Sequence, residues 1–272
     1  MSDERRRELG STDAPLEDEV AEGFDATVSA GAQRVNRRLR DVVITGLFGG
    51  LEVGTGVMAY LAVLHETGSH LLAGLGFSIG FIALMLAHSE LFTENFLMPV
   101  AAVAAREGTI GQLLRLWIGT LIANLVGGWL FMWLVVAGFP EWRETVLAAG
   151  RHYTGGGFSL QTVVLAVLAG STITLMTRMQ AGTESDVAKI VAAVAGGFLL
   201  AGLSLYHSIL DSLLIFGAID EGRGVTYGEW LGWFGPTLLC NVLGGVLLVT
   251  ALRLVRTKEL VQNRRREVAA RD

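Results

Sequence analysis

The stretch LAHSELFTENFLMPV, residues 86–100, decides how this chain is read. The apolar run LLAGLGFSIGFIALM (71–85) leads into it, and apolar sequence resumes beyond it. Between the two stand His88, Glu90, Thr93, Glu94 and Asn95. An ionisable group inside a hydrophobic segment is costly unless it is paired, hydrogen-bonded or set against a water-filled cavity. The segment is therefore interrupted for a reason, structural or functional.

The rest of the chain sets the scale of that cost. Of its 272 residues, 51% are hydrophobic and only 17% charged, with a mean hydropathy of +0.50. A soluble domain carries about 25% charged residues. Six apolar segments run at roughly 42–64, 71–101, 113–138, 160–176, 188–216 and 230–255. Each is long enough to cross a hydrocarbon layer of about 30 Å as a helix. The expected fold class is an all-α membrane protein with six transmembrane helices. The second and fifth segments are too long for one straight span, and both carry polar residues midway, so both are expected to be broken.

A net charge of −5 leaves no electrostatic footprint for nucleic acid. Cys240 is the single cysteine, which excludes an intrachain disulfide. Residues 1–29, acid-rich and without the apolar region of a signal peptide, are expected to be a disordered tail. A six-span membrane domain is placed at 30–258, with halves of about 41–140 and 158–256, and a basic tail at 259–272.

Arginine and lysine mark one side of the membrane. Arg34, Arg37, Arg38 and Arg40 precede the first segment, and Arg106, Arg115, Arg178 and Lys189 fall in or beside alternate connections. Arg253, Arg256, Lys258 and the triplet Arg264–Arg266 follow the last. The opposite connections hold only Arg143, Arg151 and Arg223 among several acids. Both termini are expected on the cytoplasmic side of a cell membrane.

The halves resemble one another. NLVGGWLF from Asn124 matches NVLGGVLL from Asn241, an offset of 117 that sets Glu90 opposite His207 and Glu94 opposite Asp211. Three spans per half is an odd number, so the two halves must insert with opposite topology. Inverted repeats with broken helices near the midplane are a mark of channels and transporters.

With these residues in view, GLGFSIGFIALMLAHSELFTENFLMPV, GQLLRLWIGTLIANLVGG, YHSILDS and CNVLGGVLLV resemble the formate/nitrite transporter family, over about residues 30–258. The resemblance implies an aquaporin-like protomer built as an inverted 3+3 repeat, a pore through each protomer and assembly as a homopentamer. It implies small monovalent anions or their weak acids as solutes, of the formate, nitrite and hydrosulfide type. His207 matches the central pore histidine, and Thr93 the threonine that hydrogen-bonds it from the other broken helix. Leu91 and Phe92 match neighbouring loop positions, and Phe77, Phe81 and Leu200 fall where the family builds two apolar constrictions. The family's mouth lysine is missing from GRHYTGGGFS (150–159), where Arg151 or His152 is the available positive group. Gly170 stands where an asparagine is usual, and Tyr206 where an acid commonly precedes the histidine.

The chemistry of such a site follows from desolvation. A bare carboxylate does not cross apolar rings cheaply. A histidine between the rings donates a hydrogen bond or a proton and so removes part of that cost. His207 is the expected relay and Thr93 its orienting partner. Glu90 and Glu94 are read first as structural, capping the broken helix or answering a positive half-helix end, and second as vestibule groups. Glu52 and Asp211 are expected to pair across an interface.

Glycines at 74, 76 and 80 have the wrong spacing for a dinucleotide fingerprint and read as close helix packing. HETGSH (65–70) sets its histidines five apart, which gives no shared helical face for zinc. No catalytic residues, cofactor or metal are expected. Two other readings stay open: a relative that passes a neutral solute or another small ion, and a non-conducting scaffold or sensor.

Overall fold

The computed structural model describes residues 3–222 and 224–271, so Arg223 of the outer-side charge pattern lies outside the described residues. Helices account for all the regular structure among them. In chain order they are α1 (Asp3–Val35), α2 (Leu39–Thr67), α3 (His70–Leu86), α4 (Met98–Ala104), α5 (Ile110–Gly138), α6 (Arg143–Thr154), α7 (Leu160–Ala181), α8 (Asp186–Gly202), α9 (Leu210–Asp220), α10 (Tyr227–Val242), α11 (Leu252–Arg256) and α12 (Lys258–Ala269). A π-helical stretch, Leu243–Ala251, joins α10 to α11 without interruption.

Four helical stretches are long and apolar enough to cross a membrane: α2, α5, α7 and the continuous run Tyr227–Arg256. The two segments expected to be broken are broken. α3 and α4 divide the first, with a short 3-10 turn Phe92–Phe96 between them, and α8 and α9 divide the second.

Both breaks use the same device. α3 stops with His88 in the left-handed region (φ 55°), its N–H bonding Met85 O and the Ser89 N–H bonding Leu84 O. α8 stops with Ser204 at φ 50°, its N–H bonding Ala201 O and the Leu205 N–H bonding Leu200 O. This paired bonding satisfies the last carbonyls of a helix that ends inside the protein. His88 is therefore a helix-terminating residue, and its side chain is exposed. Pro99, at the start of α4, suits a helix that begins afresh, because its missing N–H has no acceptor there.

One asparagine then holds each break in place. Asn124 of α5 accepts from Phe92 N (2.7 Å) and donates to Glu90 O and Gly46 O, each at 2.8 Å. Asn241 of α10 accepts from Ser208 N (2.8 Å) and donates to Tyr206 O and Ala166 O, each at 2.8 Å. The register between breaks is corrected by one residue. The matched bonds and helix ends give an offset of 116, so His207 corresponds to Leu91 and Asp211 to Asn95. The offset of 117 holds at the asparagines and need not hold at the breaks, because an unwound connection absorbs a one-residue difference that a helix face does not.

The glycines do pack helices. A Cβ on Gly50 would meet Asn124 O at 2.3 Å, and a Cβ on Gly170 would meet Asn241 O at 2.0 Å. α2 and α7 thus cross α5 and α10 backbone to backbone, beside the asparagine that ties each break.

The N-terminal expectation is corrected. Residues up to 29 were expected to be a disordered tail, yet Asp3–Val35 forms α1. Phe24 and Val28, one turn apart, bury against Ala101 and Ala105 at α4 and against Val261 of α12. Composition hides this helix because its few apolar residues occupy one narrow face. Arg256 pairs with Glu17, and Arg264 Nε lies 2.8 Å from Glu107 Oε1, fastening the terminal helices to the same end of the bundle.

Candidate functional site

The two breaks meet at a fully buried pair. His207 Nε2 lies 3.0 Å from Thr93 Oγ1, joining residues 114 apart, and both side chains are 0% exposed. His207 Nδ1 accepts the Leu210 N–H at 3.1 Å. A ring nitrogen that accepts a backbone N–H carries no proton of its own, so the proton sits on Nε2. Nε2–H therefore donates to Thr93 Oγ1, and the Thr93 hydroxyl keeps its own hydrogen to offer elsewhere. The imidazole is held neutral by geometry, because a second proton on Nδ1 would face the Leu210 N–H.

Phe77, Phe81, Leu91 and Leu200 are each at most 1% exposed and belong to one buried cluster. The Phe77 and Phe81 rings pack edge to face with centroids 4.9 Å apart. Phe92 lies in the same cluster but packs on Phe96 (5.1 Å) and Trp117 (6.1 Å), and Trp117 Nε1 donates to Asn95 O at 3.1 Å. Its visible work is to brace the turn that carries Thr93.

Glu90 is held by the end of α1 and the residues after it. Arg37 Nη1 stands 2.9 Å from Glu90 Oε1, close enough for an ion pair though not aligned as a hydrogen bond, and Arg34 Nε stands at 3.8 Å. Arg34 Nη1 also donates to Asn95 Oδ1 at 3.2 Å. Sequence reasoning placed the arginines before the first segment and the acids in the second, but only the docking of α1 on α4 brings them together. Ser89 Oγ donates to Glu52 Oε1 at 2.8 Å. The other Glu52 oxygen, Oε2, has no hydrogen-bond partner among the described residues, so pairing of Glu52 across an interface stands as a proposal. A cavity of about 510 Å³ opens here, at the end that carries α1 and α12, lined by Arg34, Arg37, His88, Glu90, Glu94 and Lys189 among others.

Asp211 also bonds within the chain rather than across an interface. Its Oδ2 accepts the His207 N–H at 2.7 Å, and the Tyr153 hydroxyl is turned to the same carboxyl. At the far end of the bundle, Tyr153 and Tyr206 pack edge to face (5.2 Å) and line a second cavity of about 240 Å³, with Thr162, Glu229, Trp233 and Thr237. Arg151 is exposed on α6, with its guanidinium beside Gly224. The neighbouring His152, exposed at the surface but with its ring partly covered, is held below the usual histidine range by that partial burial first and then by His70. Gly170 is occupied by a helix crossing, so no side chain reaches the site from that position.

His65 and His70 do not converge. His70 Nδ1 bonds Tyr60 Oη at 2.8 Å, while His65 Nδ1 bonds Thr145 Oγ1 at 3.1 Å. Among the described residues no three His, Cys, Asp or Glu side chains cluster as metal ligands do.

Apolar helices of membrane-crossing length around two interrupted helices, with a buried hydrogen-bonded pair between cavities at opposite ends, define a membrane protein of the channel and transporter kind. The chain belongs to the formate/nitrite transporter family, which it matches over residues 21–255. It is 25% identical over 250 residues to the inner membrane protein YfdC of Escherichia coli, covering 88% of this chain and 79% of that one. It is 24% identical over 235 residues to the formate channel BtFdhC of Bacillus thuringiensis (81% and 88% covered). To the formate channel FocA of Escherichia coli it is 27% identical over 200 residues (68% and 69% covered). In fold it is similar to a pentameric formate channel solved with formate bound, at a TM-score of 0.72 and 21% identity, covering 80% of this chain and 97% of that one.

Proposed function

We propose that this protein conducts small monovalent anions or their weak acids, formate foremost and nitrite or hydrosulfide by the same chemistry, through a pore in each protomer of a homopentamer. In this reading each protomer has six spans in an inverted 3+3, aquaporin-like arrangement. The broken α3/α4 and α8/α9 pairs form the second and fifth spans. Both termini lie on the cytoplasmic side. The observation that carries the reading is the buried His207–Thr93 pair at 3.0 Å, where the two breaks meet.

The site works by lowering a desolvation barrier. An anion that enters the apolar zone loses water, and the cost is large unless donors replace it. Nε2–H of His207 polarises Thr93, whose hydroxyl hydrogen is free to meet the solute. With Nδ1 occupied by Leu210 N–H, the histidine serves as hydrogen-bond donor first. Proton transfer from it requires that bond to break. Phe77, Phe81, Leu91 and Leu200 exclude water around the pair and favour a solute small enough to be wrapped by one or two donors.

Flux into proteoliposomes tests this directly. Formate, nitrite and hydrosulfide are offered across a pH series to wild type and to His207→Ala. Wild-type flux that collapses in the assembled variant is expected. Equal flux and equal pH dependence in the two would remove the histidine from the mechanism. Absence of flux from assembled wild type would move the protein to another solute or a non-conducting role.

A further inference from the structure

A fully buried carboxyl stands beside the central pair. Asp211 is 0% exposed. One carboxyl oxygen, Oδ2, takes the His207 N–H; the other, Oδ1, lacks a partner of full hydrogen-bond geometry, with only the neutral Tyr153 hydroxyl turned toward the carboxyl. The groups that face it are all neutral. Tyr60 approaches from α2, Tyr153 from α6 and Tyr206 from the connection before α9. The only charged residue of α5 is Arg115, spent at the other end on Val35 O and Arg37 O, and the only one of α10 is Glu229, which caps at Thr226. No described cation answers the carboxyl. An unpaired carboxylate in such a place is strongly disfavoured against its protonated form.

The corresponding residue of the other half sharpens the point. At the matching position stands Asn95, an amide of the same size that cannot ionise. An asparagine at 211 would accept the His207 N–H equally well, so capping alone does not call for a carboxyl. What the acid adds is a proton that can leave. A route for that proton is present: Tyr153 and Tyr206, both against Asp211, line the 240 Å³ cavity at the outer end, ample for several waters.

We propose that Asp211 is a proton-holding positioning residue of the pore, in exchange with the outer aqueous side through the Tyr153–Tyr206 cavity, and that anions pass His207 only while Asp211 is protonated. The step is a single proton transfer. The Asp211 O–H bond breaks, and the proton goes to water in the cavity. The carboxylate left behind sets a negative charge against His207, where low dielectric makes its repulsion of a passing anion severe. Raising the pH therefore closes the path electrostatically without any movement of the helices.

The proposal rests on the anion-conduction reading, and the experiment separates the two. Formate flux is measured against outside pH for wild type and Asp211→Asn, and their ratio is taken so that the solute's own ionisation cancels. The ratio of variant to wild type is expected to rise with pH, by up to about tenfold per unit once Asp211 loses its proton. A flat ratio in assembled pentamers would reduce Asp211 to a cap. Infrared spectra of the wild type, with the aspartate carboxyls isotope-labelled, read the proton without needing flux or a variant. A protonated-carboxyl band that moves with the label and fades as outside pH rises supports the proposal; its absence at every pH overturns it. Were wild-type flux absent and the band present, the conduction reading would fail and with it the control of anion passage, leaving Asp211 as a proton-holding group only.

Discussion

Asn124 and Asn241 make the same three hydrogen bonds in the two halves: one accepted from the peptide after a helix break, one given to a carbonyl before it and one given to a neighbouring long helix. Each side chain thereby satisfies backbone groups that an interrupted helix would leave bare in the membrane interior. Thr93 and His207 owe their juxtaposition to these ties.

Replacing either asparagine by leucine removes three bonds and leaves buried peptide groups unpaired. The expected cost is roughly 3–9 kcal/mol, at about 1–3 kcal/mol for each of the three buried peptide groups left bare. Thermal unfolding of the purified protein measures it. An Asn241→Leu variant as stable as wild type would show that the break is held by other means.

Gly170→Ala should be poorly tolerated, because its Cβ would stand 2.0 Å from Asn241 O, a backbone atom that cannot swing aside. Overpacking of this kind costs about 1–3 kcal/mol or more. Gly50→Ala, at the equivalent crossing, should behave alike. Expression and oligomer yield on detergent extraction give the comparison, and a normal yield for both would mean that the helices part readily.

Thr93→Val keeps the shape of the side chain and deletes the oxygen that His207 Nε2–H reaches. Formate flux is expected to fall about tenfold or more, the equivalent of one lost buried hydrogen bond of about 1.4 kcal/mol. Nitrogen-15 NMR of the imidazole should show the proton on Nε2 and a bare Nδ1 near neutral pH. Signals of the opposite tautomer would contradict the Leu210 N–H assignment.

Glu90→Gln weakens the ion pair with Arg37 and Arg34, which fastens the end of α1 to the first break. Arg37 is partly solvated, so the loss is about 1 kcal/mol or less. Trypsin cleavage between α1 and α2 should quicken by up to about fivefold. An unchanged rate would assign the docking of α1 to its Phe24–Val28 face.

His152 is depressed below the ordinary histidine range, by burial and then by His70, so its neutral form is the one the fold favours. Its contribution to stability is present above the unfolded value of about 6.5 and is lost as pH falls through the depressed one. Melting temperature should decline over that acid window and decline less in His152→Gln. Identical profiles would show that protonated His152 is accommodated in water.

Much of this was readable from residue order. Polar groups inside two overlong apolar segments located both breaks, and the NLVGG and NVLGG motifs marked the repeat, though not the role of their asparagines in tying those breaks. Glycine spacing announced close crossings. The helix α1 was not readable, because an amphipathic face of two or three residues in an acidic stretch looks like a solvated tail until the surface it covers is known. The pairing of Arg37 with Glu90, and the bonding of Asp211 and Glu52 inside the chain, depend on contacts between elements far apart in sequence.

Sequence alone determined that this chain is a membrane protein with interrupted helices, since hydropathy and misplaced polarity are properties of residue order. Tertiary structure alone decided the one-residue shift that sets His207 opposite Leu91, the Leu210 N–H that holds the imidazole neutral, and the solitude of Asp211. The physical reason is common to all three. Each depends on where a few backbone groups fall after a helix has been broken, and an unwound connection has no period from which that placement can be read.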